Sequence, residues 1–206
     1  MEVTGGAIRT DKSWWYLIDF VWKKGKWIAD DPDIGIDLVA KNTKCETVSL
    51  KQLRCNEASE MLGVWFTPNG DTTKIVSHLK QVALEWGARI RLGNPSPAEA
   101  WTALTSTIAP KLKYPIPACT LSEQECKSIM FPAIKAALTK SNVCSYIPCA
   151  IRDCPQLYGG LGISSLYHYQ GSSRVAILAE QIYRRSPTGM MLLQSIEDLS
   201  LESGMY

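Results

Sequence analysis

Two adjacent aspartates, Asp30 and Asp31, follow a predicted strand and could hold a metal ion. Carboxylate oxygens are the ligands that Mg²⁺ prefers, and two such ions can clamp the attacking and leaving oxygens of phosphoryl transfer. Pro32 and Asp33 come next, however, and the same residue types form ordinary solvated turns. We therefore interpret this segment as a turn and predict that the chain holds no metal.

Cysteine and histidine side chains could provide a nucleophile or a zinc site. Among the seven cysteines and two histidines, no neighbouring group indicates an activated thiol. Four possible zinc ligands have wider gaps between the cysteines than zinc sites usually show: Cys144, Cys149, Cys154 and His168. Because free cysteines usually behave as small apolar side chains, we expect reduced, structural thiols. This pattern is typical of an intracellular protein, nuclear or cytoplasmic.

The glycine-rich run Gly159-Gly160-Leu161-Gly162 could be taken for a phosphate-binding loop. It lacks the Lys-Ser/Thr of a P-loop and the strand that precedes a dinucleotide-binding loop. We predict that it turns the chain and binds no ligand.

Basic side chains remain as candidate contacts to a phosphate backbone. The net charge of +2 and the pI of about 8.1 are weakly basic, so such a site must come from local patches. One patch is a predicted turn over residues 23–26, and a second lies on a predicted helix. The second patch is composed of Lys74, Lys80, Arg89 and Arg91. A solvated helix face explains it equally well. We expect the seven tryptophans mainly in the core rather than as base-stacking platforms.

Strand patterns fill the first seventy residues. Residues 14–28 predict a hairpin around the basic turn, and residues 61–66 predict a further strand that ends at the turn Asn69-Gly70. Two short strands are predicted between them, at 36–40 and 46–50.

Helical spacing of apolar residues begins at Thr73. Later helices are predicted over residues 97–112, 122–140, 170–185 and 190–199. Thr120 and Glu123 have capping-box spacing before the third helix, and Pro132 could kink it. The segregated elements predict an α+β fold. Its regions are a small antiparallel β region over 1–72, a helical bundle over 73–140 and a loop with helices over 141–206.

Several short segments occur in a particular order along the chain. They are Gly5-Gly6 with Lys12-Ser13, the stretch 61–65, the helix with Trp86 and Arg89, the stretch 103–108 with Tyr114-Pro115, and the run 159–163. This ordered set resembles the C-terminal part of reverse transcriptases of non-LTR retrotransposons, over about residues 1–185.

The resemblance implies a role for each segment. The first segment resembles palm motif D, which implies that Lys12 assists the departure of pyrophosphate, since an ammonium can stabilise or protonate a leaving phosphate. The stretch 61–65 resembles motif E, the primer grip, a short strand pair that positions the primer end. This role falls to Leu62, Gly63, Val64 and Trp65. The helices over 73–140 would be the thumb, whose basic residues lie along the template–primer duplex, and the run 159–162 resembles the loop after the thumb.

The family pattern also sets limits on activity. Its metal-binding aspartates precede motif D, whereas Asp30 and Asp31 follow it, which supports the turn interpretation. The resemblance implies a partial reverse transcriptase without fingers and most of the palm. We expect no polymerase activity from it alone, because the complete enzyme uses Mg²⁺ at those aspartates.

The expected partners are an RNA–DNA or RNA template–primer duplex and the remaining fingers and palm. Two alternatives stay open: a non-catalytic nucleic-acid-binding module, and a non-functional retrotransposon remnant. No stretch of the sequence is long and apolar enough for a membrane span, so we expect no membrane association.

Overall fold

The computed structural model describes residues 13–32, 35–41 and 46–204, which form short strands followed by helices. The chain divides into two compact units, Met1–Ile75 and Val76–Tyr206. The predicted α+β class, with strands first and helices after them, is confirmed.

Short strands form four separate two-stranded ladders in the described part of the first unit. Three ladders are antiparallel: β2 (Asp19–Lys23) with β3 (Lys26–Asp30), β4 (Val39–Lys41) with β5 (Thr47–Ser49), and β7 (Ser59–Met61) with β8 (Val64–Phe66). The fourth ladder is parallel and joins β1 (Trp14–Trp15) to β6 (Lys51–Gln52). The prediction of an antiparallel region is therefore wrong for β1 and β6. These two strands are far apart in the sequence, so no local pattern indicates that they pair.

The aromatic run that begins at Trp14 is divided between two ladders. Trp15 pairs with β6, and its indole Nε1 donates to the Leu50 carbonyl at 3.2 Å. β2 instead turns back on β3 through Lys24 and Gly25, where φ is 50° and 77°. Positive φ at both central residues is what a type I′ turn requires, and this turn fits the twist of a hairpin. The predicted hairpin with a basic tip is confirmed.

Residues 61–66 form a hairpin, so the prediction of one strand there is wrong. The turn residues Leu62 and Gly63 have φ of 52° and 79°. These two residues form a two-residue turn of the same kind as Lys24-Gly25, and this turn interrupts the apolar run. The stretch therefore ends β7 and begins β8.

Helices occupy most of the second unit. They are α1 (Thr73–Leu92), α2 (Pro97–Ala103), α3 (Ala109–Lys113), α4 (Glu123–Lys140), α5 (Cys149–Asp153), α6 (Leu166–Tyr183) and α7 (Pro187–Ser203). A π-helical segment, Leu104–Ile108, joins α2 to α3, and short 3₁₀ turns span Ile116–Ala118 and Gln156–Tyr158. The π segment lies just before Pro110, whose missing N–H disturbs the regular hydrogen-bond ladder.

The core of the second unit is built around α4, which contacts α2, the π segment and α6. Its largest fully buried side chains are Leu104, Ile108, Leu112, Ile116, Ile129, Leu138 and Leu166. Burial of each such leucine or isoleucine side chain stabilises the folded state by about 1.5–3 kcal/mol relative to leaving it exposed. α4 continues without interruption through Pro132. Gly87 of α1 lies close to α4, since a Cβ there would be 3.1 Å from the Pro132 carbonyl oxygen.

The N-terminus of α4 lies two residues later than the predicted cap. Ser122 Oγ accepts the Glu125 N–H at 3.3 Å, and Glu125 Oε2 accepts the Ser122 N–H at 2.7 Å. This reciprocal pair is the capping box, so the prediction of Thr120 with Glu123 is wrong. Glu123 instead pairs with Lys127 one turn along the helix, at 2.6 Å.

Both C-terminal helices begin earlier than predicted. α6 begins at Leu166, whose side chain is buried, so packing overrides the strand preference of the aromatic residues that follow it. α7 begins at Pro187 after Ser186, whose Oγ accepts the Gly189 N–H at 3.0 Å. Serine followed by proline is a helix-start signal that defines this end.

Candidate nucleic-acid interface

The β7–β8 hairpin presents Leu62 and Gly63 at its turn. Leu62 is 84% exposed, so a large apolar side chain projects from the turn. Its φ of 52° lies in the left-handed region, which costs a residue with a Cβ roughly 1–2 kcal/mol. Val64 and Trp65 lie on β8 and are half-buried. The structure thus brings the four predicted primer-grip residues together on one hairpin.

A cleft of about 760 Å³ lies beside this hairpin and is lined in part by Leu62 and Gly63. Lys51 and Glu57 form an ion pair in the cleft, and the hydrogen bond from Lys51 lowers the pKa of Glu57. Glu60 also lines the cleft. Because these carboxylates would repel a phosphate inside the cleft, a nucleic-acid backbone fits better at the hairpin turn than in the cleft.

Lys74 lies beside the predicted primer-grip strand. Its Nζ is 5.0 Å from the centroid of the Trp65 ring, which is a cation–π distance. Asp71 fixes the start of the helix, since its Oδ1 accepts the Thr73 N–H at 3.1 Å and the Thr73 hydroxyl at 2.7 Å. These hydrogen bonds lower the pKa of Asp71. Lys74 and Trp65, predicted separately, are in contact.

The other basic residues of α1 do not share one face. Lys80 and Arg91 are about 20° apart around the helix axis, whereas Arg89 lies on the opposite side, about 180° from Lys80. Lys80 is half-buried, and both arginines are exposed. The predicted apolar stripe is present, with Ile75 and Leu79 buried. The expectation of a single basic side is wrong, because the 3.6-residue helical period separates these positions.

The predicted catalytic lysine and two lysines of the next helical segment have different positions. Lys12 lies outside the described residues. Lys113 Nζ is 5.2 Å from the Tyr169 ring centroid, which ties this ammonium to α6. Lys111 is exposed.

Two tryptophans that were expected in the core are on the surface. Trp22 is 58% exposed and Trp27 is 67% exposed. They face each other across the β2–β3 ladder, with ring centroids 5.1 Å apart. Strand alternation places Phe20 on the same face. A two-residue turn at Lys24-Gly25 fixes the strand register and could have indicated that Trp22 pairs with Trp27. Composition alone favours burial of tryptophan.

The aspartates that could have held a metal are used within the fold. Asp30 ends β3, and its carboxylate lies 3.8 Å from the Lys23 ammonium. Asp31 accepts a hydrogen bond from the backbone N–H of Cys55. In the described ranges, no group of three or more His, Cys, Asp or Glu side chains is placed to hold a metal ion.

The cysteines in the described part of the chain include both buried and exposed thiols. Cys55, Cys119 and Cys126 are buried, and Cys144 and Cys149 are exposed. Burial raises the pKa of Cys126 to about 11 and also raises those of Cys55 and Cys119. A raised pKa keeps the thiol protonated and weakens it as a nucleophile.

Each glycine of the run 159–162 is required by the backbone path. Gly159 has φ of 78° and Gly162 has φ of 70°. A Cβ on Gly160 would lie 2.1 Å from the Cys154 carbonyl oxygen, and that oxygen accepts the Gly162 N–H at 2.8 Å. The prediction that this run turns the chain is confirmed.

Comparisons with known proteins found no matching family model, no matching curated protein and no matching solved structure. Within the part of the chain that the structure describes, none of the helices has the length and apolar character needed to cross a membrane.

Proposed function

We propose that this chain forms the primer-grip and thumb part of a reverse transcriptase of the non-LTR retrotransposon type, where it contacts the template–primer duplex. The ordered set of segments supports the proposal, and so does the form of the stretch at the motif E position. Motif E is a short strand pair in that family, and β7 with β8 is a short strand pair.

The observation that carries the proposal is the exposed Leu62-Gly63 turn. The hairpin turn requires positive φ at this position, where a leucine is disfavoured, and the use of a strained, exposed leucine there supports a functional contact. An apolar tip can pack against the sugar or base at a primer end, while the phosphates lie outside the acidic cleft. Gly63 allows the backbone to approach the primer closely, because it has no side chain.

The thumb contact is assigned to one flank of α1. Lys80 and Arg91 lie on that flank about 17 Å apart along the helix axis. Two cations at this spacing can contact phosphates along one strand of a duplex. Arg89 lies on the other side of the helix and is not part of this contact.

A hybrid with a recessed primer end tests the role of the hairpin. The chain is expected to bind an RNA–DNA hybrid with a recessed primer 3′ end more tightly than a blunt hybrid of equal length, by about fivefold, or ~1 kcal/mol. Leu62→Asn should abolish this preference, because asparagine tolerates positive φ and keeps the turn but removes the apolar tip.

The matched control is Leu92→Asn, since Leu92 is also a highly exposed leucine, 90% accessible, at the end of α1. This variant should keep the preference for the recessed end. Equal affinity of the unmodified chain for recessed and blunt hybrids would contradict the primer-grip assignment. So would a preference that survives Leu62→Asn.

A further inference from the structure

The β2–β3 hairpin has an aromatic face that the fold leaves uncovered. Trp22 pairs with Trp27 and Phe20 pairs with Ala29, so these side chains share one face of the ladder. Phe20 is 60% exposed, and both indoles are more than half exposed. Large aromatic groups grouped in this way on a surface are typical of a binding site.

The two indoles already hold each other in position. Their centroids are 5.1 Å apart with an interplanar angle of 69°, which is the favourable edge-to-face arrangement of aromatic rings. A planar ligand that stacks on this pair therefore meets a surface that needs little further ordering.

Charge is separated between the two ends of the hairpin. Lys24 and Lys26 are exposed at the turn, one position beyond the indole pair. Strand alternation places Lys26 on the face opposite the indoles, so a strand stacked on the indoles reaches it around the turn. Asp19 and Asp30 face each other at the open end. Lys23 is partly neutralised, since its ammonium lies 3.8 Å from the Asp30 carboxylate. The positive potential is thus concentrated at the turn, on the same end as the indoles.

We propose that the turn end of this hairpin binds single-stranded nucleic acid. About two bases stack on the indole pair, and the neighbouring phosphates lie at Lys24 and Lys26, which is the usual combination in single-strand recognition. Bases within a duplex are stacked on one another and cannot reach this face. The ligand class rests on the proposed function, whereas the location of the site rests on the hairpin alone. Within the proposed reverse transcriptase, the ligand is an unpaired template segment beside the duplex.

The test measures fluorescence anisotropy of a labelled single-stranded oligonucleotide and, in parallel, of a labelled RNA–DNA hybrid. Replacement of Trp22 and Trp27 together by alanine should weaken single-strand binding by at least about tenfold and leave hybrid binding unchanged. A second variant, Lys24→Asn with Lys26→Gln, leaves the indoles in place and keeps a residue that tolerates positive φ in the turn. It should weaken single-strand binding and reduce its salt dependence.

The matched control is Ile28→Thr, which changes an exposed residue on the opposite face of the same ladder, 46% accessible, and retains strand preference. Its single-strand affinity should stay within about twofold of the unmodified chain, as expected for a surface substitution. Circular dichroism of each variant shows whether the fold is intact.

Several results would overturn the single-strand site. One is hybrid binding without single-strand binding, which leaves the proposed function standing. Another is equal loss of both affinities in the tryptophan variant. A third is a change in self-association with unchanged oligonucleotide binding, which identifies a second copy of the chain as the occupant of this face. Single-strand binding that depends on the indoles without hybrid binding supports the site and contradicts the thumb.

Discussion

Replacement of Gln170 by alanine is expected to destabilise the helical unit, because this side chain completes the hydrogen bonding of a buried backbone segment. The Gln170 side-chain nitrogen donates to the Leu121 carbonyl at 3.1 Å, and the side-chain oxygen accepts the Leu121 N–H at 3.0 Å. Gln170 is 6% exposed and Leu121 is 3% exposed. Leu121 precedes α4 and Gln170 lies on α6, so the amide joins these two parts of the unit.

The expected loss follows from the two groups that would be left unpaired. A buried N–H or C=O without a partner costs about 1–3 kcal/mol, so the two groups together cost roughly 2–6 kcal/mol. This is a large share of the ~5–15 kcal/mol that stabilises an ordinary domain. At roughly 2–4 °C per kcal/mol for a chain of this size, the melting temperature should fall by about 4–24 °C.

Urea unfolding followed by far-UV circular dichroism measures this loss, and hydrogen exchange of the Leu121 amide reports it locally. Gln194→Ala is the control, because this glutamine is exposed and its amide bonds only to the Asp198 side chain among the contacts described, at 3.1 Å. The control should change stability by less than about 0.5 kcal/mol. Equal unfolding midpoints for the two variants, with unchanged exchange at Leu121, would refute the reasoning.

Two further predictions concern the helical unit. Gly160→Ala should lower the free energy of unfolding in urea by about 1–3 kcal/mol, because the added Cβ would collide with the Cys154 backbone. Gly171→Ala is the control and should not destabilise the protein, because a Cβ there meets open space. Equal effects of the two substitutions would contradict this prediction. Because burial raises the pKa of Cys126 to about 11, the folded state holds that proton more tightly than the unfolded chain. Its contribution is therefore complete below about pH 8.5 and lost as pH rises towards 11. Stability should fall more steeply over this range in the unmodified chain than in Cys126→Ala, and parallel curves would contradict the assignment.

Local signals predicted the helices well where periodicity and caps agreed. α1 begins at the predicted residue because its apolar stripe and its Asp71 cap are both local features. The capping box of Ser96 and Glu99 defines the start of α2 in the same way. The start of α4 was predicted within one residue, but its capping pair was wrong because two Ser/Thr–Glu pairs at the same spacing compete there. Only the packed helix favours Ser122, whose backbone is extended with φ −71° and ψ 161°.

Strand pairing was harder to predict because partners are distant in sequence. The parallel pairing of Trp14 with Lys51 has no local signal. The Leu62-Gly63 turn lies in an apolar run that reads as one strand, and its positive φ values appear only in the folded chain. The surface position of Trp22 was also missed. Composition favours burial of tryptophan, whereas only the strand register shows that Trp22 and Trp27 pair on an exposed face of the ladder.

The most direct test of the central claim, that this chain grips a template–primer duplex, is the affinity for a labelled RNA–DNA hybrid measured across a salt series. The logarithm of the binding constant should fall linearly with the logarithm of salt concentration. Changing Lys80 and Arg91 together to glutamine should reduce this slope by about two, whereas Arg89→Gln should leave it nearly unchanged. Absence of binding at low salt, or the same slope in the double variant as in the unmodified chain, would contradict the account.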